Sequence, residues 1–75
     1  MEKNATLRNA IGAAVYHERT AQNLTQSQLA ELAGLHTNYI GQVERGKKDI
    51  TVQALAKICI ALGYGLVDFF EQNKF

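Results

Sequence analysis

The sequence contains no proline and no tryptophan, and it has a single cysteine, Cys59. One cysteine excludes an internal disulfide, so packed side chains or a partner subunit must stabilise the fold. No apolar run approaches the length of about 18 residues that a membrane-spanning helix needs, and no signal peptide is recognisable. We therefore expect a cytoplasmic, soluble protein that makes no contact with the membrane.

The residue sets that carry catalysis are also missing. The sequence has no paired acid and base in a cleft-forming context, no glycine-rich phosphate loop and no Ser/His/Asp set that a small fold brings together. His17, His36 and Cys59 lack the spacing of metal ligands, and no pocket for a small molecule is evident. These absences argue against an enzyme, a metal site and a cofactor.

Charge is low overall but unevenly distributed. The net charge of +1 does not by itself indicate a nucleic-acid-binding protein. Between residues 45 and 57, however, four cations accompany one acid, whereas residues 64–73 carry acids and no cation. Any electrostatic attraction to DNA therefore depends on where these cations lie in the fold.

Apolar residues recur three and four positions apart almost throughout the chain, and no segment alternates as a strand does. This spacing predicts an all-α fold, a compact single domain over residues 1–75, with five helices at about 6–22, 25–33, 36 or 37 to 44, 51–62 and 66–72. A chain this short buries only about 60% of its unfolded surface. A stable fold therefore needs closely packed helices or a second subunit.

Several local signals mark the helix ends. Thr25 and Gln28 have the spacing of a capping box, Gly34 stands where a left-handed residue ends a helix, and Thr51 is placed to cap the fourth helix. The helical spacing assigns these residues to the inner faces: Leu7, Ile11, Val15, Leu29, Leu32, Ala33, Ile40, Val43, Val52, Leu55, Ile58, Cys59 and Leu62.

The third helix has an outer face rich in amide and hydroxyl groups. Thr37, Asn38 and Gln42 point outward on this face, and Gly41 lies between them, where it admits a close approach. Asn and Gln amides match the N6/N7 edge of adenine in the major groove, and a Thr methyl can touch the methyl of thymine. On an isolated helix, such a face is more often simply solvated. Paired with the preceding helix, it predicts a helix-turn-helix over about residues 25–45 whose second helix reads DNA bases.

The same region carries a family pattern. Residues 24–35 read LTQSQLAELAGL and residues 39–48 read YIGQVERGKK. This combination of Thr-Gln-x-x-Leu-Ala with a following Glu-Arg-Gly resembles the Xre, or Cro and phage-repressor, family of helix-turn-helix proteins. Among its members, the compact length and the Tyr-Ile-x-x-Val-Glu-Arg-Gly form are most like restriction-modification controller proteins. The resemblance extends over residues 7–70 and implies a phage-repressor-like fold that binds double-stranded operator DNA.

The resemblance also assigns roles to individual residues. Thr37, Asn38 and Gln42 occupy base-reading positions, and Gly41 is a reading position without a side chain. Gln26 stands where the family has a glutamine that touches phosphate and braces the first residue of the recognition helix, here Thr37. Contacts with the DNA backbone are usual at four further positions: Tyr39, Arg45, Lys47 and Lys48. The alternative for Lys47 and Lys48 is that they are ordinary surface lysines, which only keep the loop soluble.

An internal ion pair is implied as well. Arg19 stands where many members have an arginine that pairs with the glutamate matching Glu44, and we expect this pair to be structural. Two positions depart from the pattern. His36 replaces the usual Ser or Thr cap of the recognition helix, which predicts a shifted helix start, and Glu18 replaces a commonly apolar residue, which predicts a looser or partner-covered first helix.

The last two helices carry more apolar residues than one small core requires. Phe69 and Phe70 lie about 100° apart on a helix, so both cannot point into the core, and the sequence does not say which one does. Together with Ile60, Leu66 and Phe75, the spare phenylalanine predicts an apolar patch that forms a homodimer interface. The alternative is that these residues only close the core.

Two functions from different classes remain. The first is a homodimeric transcription regulator, such as a repressor or a restriction-modification controller, on a two-fold symmetric operator. The alternative is an antitoxin-like or other protein-interaction module with secondary DNA binding. A flexible tail that wraps a partner would favour this alternative.

Overall fold

Five helices make up the computed structural model, which describes residues 3–74. They are α1 (Lys3–Ala21), α2 (Gln26–Ala33), α3 (Thr37–Glu44), α4 (Val52–Ala61) and α5 (Leu66–Asn73). No strand occurs in this range, so the predicted all-α, five-helix architecture is confirmed. No single described helix is long and apolar enough to cross a membrane; α4 and α5 satisfy length and composition only as a pair, and that pair is bent by 81°. Phe75 lies outside the described residues.

The predicted helix-end signals operate as expected. Thr25 Oγ1 accepts from the backbone N–H of Gln28 at 3.0 Å, and Gln28 Oε1 accepts from the backbone N–H of Thr25 at 2.8 Å. Gly34 adopts a left-handed φ of 69° after α2, a conformation that costs little only for glycine. Thr51 Oγ1 accepts from the backbone N–H of Ala54 at 3.0 Å and caps α4.

One apolar core joins all five helices. The central predicted residues are all buried in it, namely Leu29, Ile40, Val43, Leu55, Ile58 and Leu62. Cys59 lies in the same cluster, and burial raises the pKa of its thiol to about 11. The thiol is therefore protonated near neutral pH and acts as a small apolar side chain.

Three residues predicted to point inward are exposed instead: Leu7, Leu32 and Val52. The buried residues of α2 are Leu29, Ala30 and Ala33, and at 100° per residue they span an arc that leaves Leu32 about 60° outside its edge. Leu7 lies one turn before the first core residue of α1, and Val52 is the first residue of α4. Helical periodicity alone therefore predicted burial for three residues that lie at the edge or the end of a buried helical face.

The predicted looseness at Glu18 is also wrong. Glu18 is buried, and its Oε1 accepts a hydrogen bond from the Tyr64 hydroxyl at 2.9 Å. This hydrogen bond raises the pKa of Tyr64, because the phenol loses the bond when it ionises. Nearby, Gln22 Nε2 donates to the carbonyl of Leu62 at 2.8 Å. The C-terminal half of α1 is thus joined to the turn between α4 and α5.

Gly12 allows α1 to pack directly against the backbone at the end of α3. A methyl group on Gly12 would lie 2.8 Å from the carbonyl oxygen of Glu44 and even closer to that of Val43. Both obstacles are backbone atoms, so no side-chain rotation relieves the overlap. The sequence did not single out Gly12, and its role follows from this close approach.

We predict that Gly12→Ala destabilises the protein by about 1–3 kcal/mol, as overpacking typically does. At an unhindered helical position the same change would stabilise by up to about 1 kcal/mol. The reverse change at exposed Ala13, Ala13→Gly, measures the intrinsic helix preference of α1 and is the control. The measurement is urea unfolding followed by circular dichroism. A Gly12→Ala variant as stable as the parent would contradict the close packing of α1 on α3.

Candidate nucleic-acid interface

Helices α2 and α3 form a tight helix-turn-helix unit. After the left-handed Gly34, the backbone N–H of Leu35 donates to the carbonyl of Ala30 at 2.9 Å, which turns the chain sharply. His36 is the N-cap of α3, but its side chain makes no capping hydrogen bond. The helix nevertheless begins at Thr37, so the predicted shift caused by the missing Ser or Thr does not occur.

The outer face of α3 presents polar side chains to solvent. Thr37, Asn38 and Gln42 are all exposed, and the hydroxyl of Thr37 donates weakly to that of Ser27 at 3.4 Å. Ile40 and Val43 lie on the opposite, buried face of the same helix. The three predicted base-reading residues are therefore all accessible, and the amides of Asn38 and Gln42 are available for hydrogen bonds.

Gly41 does not behave as an open position on this surface. It is buried, because the side chains of Arg45 and Gln26 cover it: a methyl group there would lie 3.2 Å from Arg45 Nη1 and 3.5 Å from Gln26 Oε1. The absence of a side chain at Gly41 makes room for these two residues. The predicted close approach at Gly41 is therefore made by the protein's own side chains.

A buried carboxylate fixes the position of α3. Glu44 Oε2 accepts from Arg19 Nε at 2.6 Å, and Glu44 Oε1 accepts from Arg19 Nη2 at 2.9 Å. The side chains of Arg19 and Glu44 are only 10% and 4% exposed, and Arg19 Nη1 also donates to the carbonyl of Leu24 at 2.7 Å. Bonding to Glu44 raises the pKa of Arg19 above its ordinary value. The expected ion pair is thus present, in a bidentate geometry that connects α1 to the end of α3.

Gln26 belongs to the same network, and the phosphate contact predicted for it stays a prediction. Its Nε2 donates to Glu44 Oε1 at 3.0 Å, and the hydroxyl group that contacts Thr37 comes from Ser27. The expectation that Gln26 braces Thr37 is therefore wrong. The carboxylate of Glu44 attracts the Gln26 amide more strongly than a neutral hydroxyl does.

The turn after α3 carries the basic residues. Arg45, Lys47 and Lys48 are all exposed, whereas Tyr39 is half-buried. Lys48 Nζ lies 5.6 Å from the centre of the Tyr39 ring, within the range of a cation–π contact. These four residues border the polar face of α3, so the positive charge lies beside the surface that presents Thr37, Asn38 and Gln42.

The apolar residues of α4 and α5 divide differently from the prediction. Phe69 is fully buried and packs edge-on against Tyr64 and Phe70, so Phe70 is the spare phenylalanine and Phe69 does not belong to the candidate dimer interface. Ile60 is 73% exposed, and Leu66 and Phe70 are half-buried. Val67, which the sequence did not single out, is 68% exposed and lies beside Phe70 on the helical projection of α5. Ile60, Leu66, Val67 and Phe70 are called the α4–α5 patch below.

A capped short helix, a sharp turn and a second helix with a polar outer face define a helix-turn-helix domain. Residues 15–69 match the family model described as helix-turn-helix, HTH_3. The chain belongs to this family, which confirms the resemblance seen in the sequence.

Relatives within this fold include proteins named as controllers. The chain is 48% identical over 44 residues to the control protein C.SmaI of Serratia marcescens; the match covers 59% of this chain and 52% of that protein, so the chain spans about half the length of this relative. The restriction-modification controller protein C.AhdI from Aeromonas hydrophila superposes with a TM-score of 0.82 at 32% identity, over 87% of this chain and 98% of that one. The C.Esp1396I controller tetramer, solved in complex with its natural 35-base-pair operator, gives a TM-score of 0.85 at 28% identity, over 91% and 90% of the two chains.

We predict that Glu44→Ala destabilises the fold by about 3–5 kcal/mol, because it leaves the buried Arg19 guanidinium without its partner. The Arg8–Asp49 pair is the control, since the Asp49 side chain is 82% exposed and Asp49→Ala should cost less than about 1 kcal/mol. Thermal and urea unfolding measure both variants. Equal, small losses in the two variants would mean that the buried pair does not hold α3 in place.

Proposed function

We propose that the chain is a sequence-specific DNA-binding transcription regulator that inserts α3 into the major groove of its operator. The observation that carries this proposal is the exposed polar face formed by Thr37, Asn38 and Gln42 on a helix held rigidly from behind by Glu44. Asn and Gln amides discriminate adenine from other bases when their geometry is fixed. Because Glu44 fixes the end of α3, the backbone that carries these side chains needs little rearrangement when DNA binds.

The basic turn positions the duplex in this proposal. Arg45, Lys47 and Lys48 contact backbone phosphates at the end of the recognition helix, and Tyr39 supports Lys48. Phosphate contacts set the register of a protein on DNA but carry no sequence information directly. In this proposal the exposed face of Thr37, Asn38 and Gln42, called the reading face below, provides specificity. The basic turn with Arg45, Lys47 and Lys48 provides affinity.

Two copies of the chain bind the operator together in this proposal, joined through the α4–α5 patch. An interface of this kind is self-complementary and produces a two-fold axis. The two-fold axis places the two copies of α3 at half-sites that lie about one helical turn of DNA, roughly 34 Å, apart. The operator complex of the C.Esp1396I tetramer supports this assembly by analogy.

We also propose that the regulator controls a restriction-modification system. The resemblance to C.SmaI and C.AhdI supports this assignment. The single domain over residues 1–75 and a cytoplasmic location belong to the same proposal. Methyltransferase and endonuclease genes next to the coding sequence are the expected observation, and a toxin gene in their place would favour the antitoxin-like alternative.

We predict different effects for the reading face and the basic turn. The probe is a duplex that the parent protein selects from a randomised pool, compared with a scrambled duplex of the same length. Asn38→Ala or Gln42→Ala should weaken binding to the selected duplex by about 1–3 kcal/mol per lost base contact and leave scrambled binding nearly unchanged. Lys48→Ala should weaken both and lower the salt slope by about one unit per lost contact.

Fluorescence anisotropy at several salt concentrations makes this comparison. If Asn38→Ala and Gln42→Ala bind both duplexes as the parent does, α3 is not the recognition helix. A parent protein that selects no duplex from the pool would reject sequence-specific binding altogether, and a selected site without two-fold symmetry would reject the proposed assembly.

We predict that Ile60→Glu converts the dimer to monomers. Placing an unpaired carboxylate in an apolar interface costs several kcal/mol, so the dimer dissociation constant should rise by more than about tenfold. Val52→Glu is the matched control, because Val52 is 72% exposed on the same helix and Ile60 is 73% exposed. Sedimentation at micromolar concentration measures both. A monomeric parent, or equal dissociation in both variants, would contradict an interface at the α4–α5 patch.

A further inference from the structure

A polar cleft of about 490 Å³ lies between the N-terminal half of α1 and the turn that follows α3. Three cations and one carboxylate line it, so its charged groups sum to two positive charges. The lining residues are Ala5, Arg8, Asn9, Arg45, Gly46, Lys47 and Asp49. The family resemblance predicted DNA contacts for Arg45 and Lys47 on the turn side of this cleft, but it assigned no role to Arg8.

Arg8 is held in place by the turn itself. Its Nε donates to the carbonyl of Gly46 at 3.3 Å, and its Nη1 donates to Asp49 Oδ1 at 2.8 Å. A guanidinium has five N–H donors. Among the side chains that the structure describes, Arg8 makes these two hydrogen bonds, which leaves three donors for an anion. The side chain is 26% exposed, which leaves its planar group accessible but already oriented.

The cleft adjoins the reading face through Arg45. The Arg45 guanidinium covers Gly41 in α3, and the same side chain lines the cleft. Lys47 follows directly, with its backbone N–H bonded to the carbonyl of Gln42 at 2.9 Å. A duplex lying against Asn38 and Gln42 therefore brings its sugar-phosphate backbone past the end of α3, next to this cleft.

We propose that the cleft binds a backbone phosphate of that duplex, with Arg8 and Lys47 as its cations. The inference rests on the proposed DNA-binding function and extends the contact surface from the turn to α1. A guanidinium suits this ligand because its parallel N–H groups match two phosphate oxygens. The contact adds affinity without sequence preference. Asp49 orients Arg8 but also repels the phosphate, so its removal strengthens DNA binding.

A structural clamp is the alternative role for Arg8 and Asp49, and the two roles differ in the sign of one effect. If the pair only holds α1 against the turn, removal of either partner loosens the turn and weakens DNA binding. If Arg8 contacts phosphate, Arg8→Gln weakens binding whereas Asp49→Asn tightens it. The Asp49→Asn result therefore remains informative even if Arg8→Gln lowers the melting temperature.

The experiment is a salt titration of Arg8→Gln, Asp49→Asn and the parent on two labelled duplexes, one of mixed sequence and one selected by the parent from a randomised pool. Lys57→Gln is the control, because it removes one exposed charge from α4, outside the cleft. Arg8→Gln should reduce the magnitude of the salt slope by about 0.9 for each bound protomer, on both duplexes. Asp49→Asn should increase affinity for both duplexes, and Lys57→Gln should leave the slope unchanged.

Three results would overturn the inference while the proposed function stands: a parent-like slope for Arg8→Gln, weaker binding by Asp49→Asn, or an equal loss of slope in Lys57→Gln. A parent protein that shows no salt-dependent binding to either duplex would reject the proposed function together with the inference. Binding of both duplexes with an unchanged ratio of their affinities in Arg8→Gln supports a contact to phosphate rather than to a base.

Discussion

The arrangement of the first three helices depends on one buried carboxylate. Glu44 accepts two hydrogen bonds from Arg19 in α1 and one from Gln26 in α2, and Arg19 also reaches the carbonyl of Leu24 before α2. A buried charge without its partner costs several kcal/mol. Any displacement of α3 that separates Glu44 from Arg19 is therefore strongly disfavoured, so the pair selects one orientation of α3 even if it adds little net stability.

Helix α1 contacts the end of α3 and the turn after it at three points behind the proposed DNA surface. Near its middle, Gly12 brings its backbone against the end of α3, and near its C-terminus Arg19 holds Glu44. Near its N-terminus, Arg8 bonds to the turn after α3. The first helix therefore supports α3 from behind and also contributes a cation beside it, although the sequence pattern of the family concentrates on α2 and α3.

Much of the fold and part of the candidate site could be predicted from the sequence. The approximate bounds of the helices, the central core residues and the outward positions of Asn38 and Gln42 follow from helical spacing and local end signals, although α1 begins at Lys3 and not near residue 6. The family motif pointed to the Arg19–Glu44 pair. Errors occurred at the margins of each helical face, as at Leu32 and Val52. There the extent of a neighbouring helix decides burial, and helical periodicity does not encode that extent.

The sequence by itself determined where α2 begins and ends, because the capping bonds of Thr25 and the left-handed turn at Gly34 involve residues at most five positions apart. Only the tertiary structure decided that Glu18 is a buried hydrogen-bond acceptor and that Phe69 rather than Phe70 fills the core. It alone also placed Arg8 beside the turn. Glu18 and Tyr64 are 46 positions apart, and Arg8 and Asp49 are 41 apart. The physical reason is that contacts at such separations depend on how whole helices pack, which local propensity does not specify.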